Sequence, residues 1–114
     1  MLLKAEGSYV FGPYRLDARE RQLLRNGEPV SLPPKAFDLL LALVARGGSL
    51  ATKEELLAEV WAGTFVEEAN LSYTVSLVRR ALGEDGYIET VPKSGYRFMH
   101  RVAAAIVAER RLCA

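Results

Sequence analysis

Arg79 and Arg80 stand side by side near the end of a predicted helix over residues 68–82, and Tyr73, Ser76 and Leu77 precede them at helical spacing. A guanidinium is a flat fork of donors that fits a phosphate or the paired acceptors of a guanine edge. A serine hydroxyl both donates and accepts. With Leu71 at zero and a step of about 100° per residue, Leu71, Val75, Val78 and Leu82 fall on one face. Ala69, Tyr73, Ser76, Leu77 and Arg80 take the opposite face, with Ser72, Thr74 and Arg79 on the flanks. The apolar stripe is the core side. Tyr73 and Leu77 then point away from the core, where large apolar groups suit a methyl-bearing partner. Lys93 and Ser94 sit in a second short polar segment, the tip of a predicted hairpin.

Catalytic chemistry has no comparable constellation. No residues carry metal-ligand spacing, no nucleophile has a base beside it in a known motif, and no glycine loop has the phosphate-binding pattern. His100 is a lone histidine on a strand-like run. The glutamates around residues 54–59 read as a solvated helix face rather than acid–base machinery. The expectation is a binding domain that is not an enzyme and uses no cofactor or metal.

The 114 residues carry a net charge of +1, with 50% hydrophobic residues, so one small core is within reach. Charge is distributed unevenly. Between residues 53 and 68 five glutamates face Lys53 alone, a local −4; residues 69–101 carry a local +2. Such asymmetry orients a molecule in a field even when the total is near zero. The single cysteine, Cys113, makes no internal disulfide, which fits a reducing compartment. The start is too short and charged for a signal peptide, and no apolar run reaches the ~18 residues that span a bilayer. A cytoplasmic location without membrane contact is expected.

The elements that position these residues are legible along the chain. Tyr9-Val10-Phe11 is β-prone and closed by Gly12-Pro13; residues 14–17 alternate; residues 21–25 lead to Asn26-Gly27, a two-residue hairpin signal, and residues 28–32 return. This predicts an antiparallel meander. Pro34 opens a helix over 34–46 that stops at Gly47-Gly48. Thr52-Lys53-Glu54-Glu55 is a capping box that opens a second helix ending near Trp61. The third helix follows, and Gly83 ends it. Residues 87–91 and 96–100, joined by Pro92-Lys93-Ser94-Gly95, predict a hairpin. The expected domain covers residues 9–102, with a disordered tail at 1–8 and a linker or helical stub at 103–114.

The order sheet, helix, helix–turn–helix, hairpin is an α+β, winged helix-turn-helix plan: an N-terminal four-stranded antiparallel sheet, a three-helix core and a C-terminal β-hairpin wing. A helix fits the major groove of duplex DNA, where base edges are distinguishable, and a hairpin tip beside it reaches backbone or minor groove. A winged helix used as a protein-interaction module, with little DNA affinity, is the alternative suggested by the near-neutral charge, the outward Tyr73 and Leu77 and the acidic second helix.

Four ordered motifs strengthen the first reading. They are Leu32-Pro33-Pro34-Lys35-Ala36-Phe37-Asp38-Leu39-Leu40, Lys53-Glu54-Glu55-Leu56-Leu57 through Val60-Trp61, Val78-Arg79-Arg80-Ala81-Leu82-Gly83, and residues 88–98. With these the chain resembles the effector domain of OmpR/PhoB-type response regulators, and more closely the N-terminal domain of CadC-like one-component regulators. The resemblance implies sequence-specific binding of bacterial promoters, commonly as a homodimer on repeated half-sites. It implies phosphate contacts at Trp61, Thr74, Arg79 and Tyr96. Base contacts fall on the outward helix face, and the loop at 62–67 meets RNA polymerase. The DNA-binding set is then Trp61, Ser72, Tyr73, Thr74, Ser76, Leu77, Arg79, Arg80, Lys93, Ser94 and Tyr96. The chain departs from many relatives in carrying Ala69, Ser76 and Leu77 at positions that are often basic, and Pro33 where a capping hydroxyl is usual.

Overall fold

A computed structural model describes residues 8–64, 66–83, 86–100 and 102–104. They form two compact units, one of residues up to Ser31 and from His100 onward, the other of Leu32–Met99.

The first unit is a sheet. Strands β1 (Ser8–Phe11), β2 (Tyr14–Asp17), β3 (Gln22–Arg25) and β4 (Glu28–Val30) form the expected antiparallel meander. Tight links fix its register: Phe11 pairs with Tyr14, and Arg25 with Glu28. The second link works because Asn26 and Gly27 both adopt positive φ, 52° and 87°, as a hairpin turn of matching twist demands. Alternation then directs Tyr9, Phe11, Tyr14, Leu16 and Leu23 to one buried face. The sheet has a fifth strand, β8 (Ala103–Ala104), antiparallel to β1. The segment read as a linker or helical stub therefore begins extended; an Ala-rich run has no local signal against a strand when the partner is β1, some ninety residues away in sequence. Ser8, assigned to the tail, lies in β1. The rest of the expected tail and residues 105–114 lie outside the described residues.

The second unit holds three helices and a small sheet. Helix α1 (Pro34–Ala45) starts with proline at its first position and no side-chain cap from Pro33. Its stripe of Ala36, Phe37, Leu39, Leu40, Leu43 and Val44 is buried. Burying each large apolar side chain contributes roughly 1.5–3 kcal/mol over leaving it exposed. Helix α2 (Lys53–Val60) opens on the predicted capping box: the Glu55 amide donates to Thr52 Oγ1 at 3.1 Å, and the Thr52 amide donates to Glu55 Oε1 at 3.0 Å. Helix α3 (Glu68–Ala81) buries Leu71, Thr74, Val75 and Val78, and Leu82 follows them inside.

Two side chains tie α1 to α2. Lys35 Nζ donates to the Val60 carbonyl at 2.8 Å, satisfying a group that the end of α2 leaves unpaired. Arg46 donates to Glu59 at 2.6 and 3.2 Å and to the Ala42 carbonyl at 3.0 Å. The hydrogen bond to Glu59 pushes the Arg46 pKa further up.

The predicted hairpin is β6 (Ile88–Val91) and β7 (Gly95–Phe98). Gly95 belongs to the ladder, opposite Val91, so the loop is three residues rather than four. A third strand, β5 (Ala51–Thr52), pairs with β7 to give the order β5-β7-β6. Two residues are too few to show period-2 alternation, so β5 has no sequence signal of its own.

Candidate nucleic-acid interface

Helix α3 presents the surface that its sequence predicts. Leu71, Val75 and Val78 are buried, whereas Ser72, Tyr73, Ser76 and Arg80 are exposed and Leu77 is half-buried. Tyr73 is 64% exposed, a large aromatic ring in solvent on a helix whose other side is core. Ser76 Oγ donates to the Tyr73 carbonyl at 2.6 Å and keeps its lone pairs free to accept. The first acid of the helix is held from below: Lys53 Nζ lies 3.6 Å from Glu68.

The flanking residues behave differently. Thr74 is 5% exposed, and its hydroxyl donates to the Asn70 carbonyl one turn back at 2.7 Å. Arg79 is half-buried, and one of its terminal nitrogens donates to the Ile88 carbonyl and to Thr90 Oγ1, both at 2.9 Å.

The wing tip is a turn closed by the Ser94 amide donating to the Val91 carbonyl at 3.0 Å. Pro92 supplies its first central position, and Lys93 its second with φ +66°, a conformation usually left to glycine. Lys93 is exposed and Ser94 half-buried. The Ser94 carbonyl accepts from the Lys53 amide at 3.1 Å, which joins the wing tip to the start of α2. Tyr96 is 6% exposed and pairs across the sheet with Ala51 on one side and Thr90 on the other. Trp61 is half-buried just past the end of α2, its amide bonded to the Leu57 carbonyl.

Thus Ser72, Tyr73, Ser76, Leu77 and Arg80 share one accessible helix, and Lys93 and Ser94 share the wing tip. Thr74 and Tyr96 face inward. Two residues escaped sequence reasoning. Asn70 is exposed in the first turn of α3 and lies about 20° from Leu77 on the same projection, so the signal was present. Lys53 was absorbed by the capping motif; only the β5–β7 pairing brings it beside the wing. Among the described residues no group of three or more His, Cys, Asp or Glu is placed to hold a metal ion, and no helix is long and apolar enough to cross a membrane.

A short helix–turn–helix whose second member offers a polar and aromatic face, followed by a hairpin with lysine at its tip, defines a winged helix-turn-helix domain. Residues 27–98 match the family described as "Transcriptional regulatory protein, C terminal", and the chain belongs to that family. It is 37% identical over 93 residues to the transcriptional regulator HilA of Salmonella typhimurium, a match that covers 79% of this chain and 17% of HilA. The chain therefore corresponds to about a sixth of that relative's length. Its fold is similar to the DNA-binding domain of Escherichia coli CadC, with a TM-score of 0.78 and 27% identity over 89% of this chain and 99% of that one. It is also similar to the Klebsiella pneumoniae RstA DNA-binding domain solved in complex with the RstA box, with a TM-score of 0.69 and 28% identity over 80% and 95% of the two chains. The OmpR/PhoB-type, CadC-like character expected from the four motifs is present in sequence and in fold.

Proposed function

We propose that this domain binds double-stranded DNA sequence-specifically as the DNA-binding part of a bacterial transcription regulator. Helix α3 enters the major groove, and the β6–β7 wing lies against the backbone or minor groove. The observation that carries this reading is the outward face of α3, where an exposed Tyr73 and an exposed Arg80 flank Ser76 on a helix whose other face is core. At 1.5 Å per residue the helix is about 21 Å long. That is ample for a recognition helix, which reads only three or four side chains' worth of base edges. Family membership and the DNA-bound RstA relative support the same reading.

The proposed contact set is Ser72, Tyr73, Ser76, Leu77 and Arg80 on the helix, with Lys93 and Ser94 on the wing. Trp61 and Tyr96 carry a polar tip on a packed apolar body, which lets a buried aromatic reach a phosphate. Pairing on repeated half-sites and a polymerase contact through the 62–67 loop rest on the family resemblance. A cytoplasmic location follows from a promoter target.

The acidity that favoured a protein-interaction module is largely engaged within the domain: Arg46 holds Glu59 and approaches Glu55, and Lys53 approaches Glu68. Selection of bound fragments from a random DNA pool, followed by titration at several salt concentrations, tests the proposal. Enriched fragments should share a half-site repeated at about one helical turn, 10–10.5 bp. Affinity should fall steeply with salt, because lysine and arginine displace counterions from phosphate. A pool that remains unenriched at low salt overturns the reading.

A further inference from the structure

Strand β6 is one of the two edges of the β5-β7-β6 sheet. In an antiparallel pair, alternate residues turn their backbone groups inward to the partner and outward to the edge. The Met99 amide donates to the Tyr87 carbonyl at 2.7 Å, so Tyr87 and Met99 face inward. Ile88 and Thr90, the next residue and the one two further on, therefore face outward. An outward carbonyl with no partner costs free energy unless something donates to it. Arg79 supplies that donor. Its guanidinium reaches from the last turns of α3 to the Ile88 carbonyl and Thr90 Oγ1, both at 2.9 Å. It takes the place of a missing fourth strand.

This connection has a direction. Thr90 pairs with Tyr96, Val91 pairs with Gly95, and only Pro92, Lys93 and Ser94 lie beyond. The wing is held at α2 through Ser94 and Lys53, and the contact of Thr90 with α3 is the second hold that sets where Lys93 stands relative to Tyr73 and Arg80. The neighbouring arginine is built differently, since Arg80 projects into solvent on the outward face.

We propose that Arg79 is a positioning residue, which fixes the angle between wing and recognition helix through Thr90 and Ile88, and that its own charge does not make the phosphate contact the family resemblance implies. The proposal deepens the DNA-binding reading and rests on it for its second readout. One terminal nitrogen carries both bonds, and the two hydrogens of that nitrogen point in fixed directions within the planar guanidinium, whereas a lysine ammonium rotates freely on a flexible stem.

The test uses the whole 114-residue chain and the variants Arg79→Met, Arg79→Lys, Thr90→Val and Lys93→Gln. In the free protein, amide NMR shifts and hydrogen exchange are measured. Arg79→Met and, more weakly, Thr90→Val should move Lys93 and Ser94 amides while those of 71–75 hold; Arg79→Lys should restore part of the difference. Wing amides that stay put in both Arg79→Met and Thr90→Val overturn the proposal without reference to DNA. With a selected DNA fragment, Lys93→Gln should weaken binding by about threefold or more in the parent and much less in the Arg79→Met background, the non-additivity expected of groups acting through one another. Additive losses, with Thr90→Val neutral, identify Arg79 as a direct phosphate ligand and overturn the proposal. A parent chain that binds no DNA while its wing amides still answer to Arg79 removes the DNA-binding reading and leaves the helix-to-wing linkage standing.

Discussion

Gly95 approaches Ala51 so closely that a methyl group on its Cα would overlap the Ala51 carbonyl oxygen and lie 2.8 Å from Thr52 Cα. The close approach is what lets β5 pair with β7 and seats the wing beside the start of α2. Gly95→Ala forces two backbones apart, and backbone has no rotamer with which to yield. The substitution should cost about 3 kcal/mol or more. Thermal unfolding followed by circular dichroism should show the midpoint falling by more than about 10 °C. An unchanged midpoint would show that the sheet can open here freely.

Tyr73 and Arg80 should separate binding from stability. Both are exposed on α3, so Tyr73→Ala and Arg80→Ala should leave unfolding free energy within about 0.5 kcal/mol of the parent. Binding to a selected fragment should weaken in both. For Arg80 the loss should be about 1–3 kcal/mol with relaxed preference at one base pair if it reads guanine. If it holds a phosphate, the loss should be similar across sequences and the salt slope should drop by about one. Fluorescence anisotropy with two DNA sequences at three salt concentrations distinguishes these outcomes, and intact affinity in Arg80→Ala would remove it from the interface.

Lys93 combines a charge with a left-handed backbone, and the two can be examined apart. A non-glycine residue at φ +66° carries a cost of about 1–2 kcal/mol that glycine does not. Glycine in turn loses more entropy on folding, roughly 0.5–1 kcal/mol. Lys93→Gly should therefore unfold at the same temperature as the parent or slightly above, yet bind DNA more weakly and with a shallower salt dependence. A clear drop in the unfolding temperature would mean that the lysine stem packs against something in the folded protein.

The capping box at the start of α2 should be worth about 1 kcal/mol. Thr52→Ala removes the acceptor of the Glu55 amide, and urea unfolding should register a loss of that size, with Thr52→Ser close to the parent. Glu55→Gln keeps a side-chain oxygen for the Thr52 amide and should cost less. Equal losses in Thr52→Ala and Thr52→Ser would locate the contribution in the methyl group instead.

Much of the architecture was legible in the chain because it is written in local terms. Asn26-Gly27 specifies its turn through the backbone freedom of two adjacent residues. Thr52 and Glu55 cap α2 across three residues, and Leu71, Val75 and Val78 define the buried side of α3 by spacing alone. The same spacing identified Tyr73 and Arg80 as outward. Asn70 falls on the same projection at an angle that nearly matches that of Leu77.

The type and order of the elements and the two faces of α3 are local properties of the chain, since periodicity, caps and turns are settled by neighbours a few residues apart. Tertiary structure alone decided that Ala51–Thr52 and Ala103–Ala104 are strands, that Lys53 stands beside the wing, that Thr74 and Tyr96 turn inward, and that Arg79 meets Ile88 and Thr90. Distance along the chain separates the two groups. A two-residue strand or a half-buried guanidinium takes its conformation from a partner that no window of sequence contains.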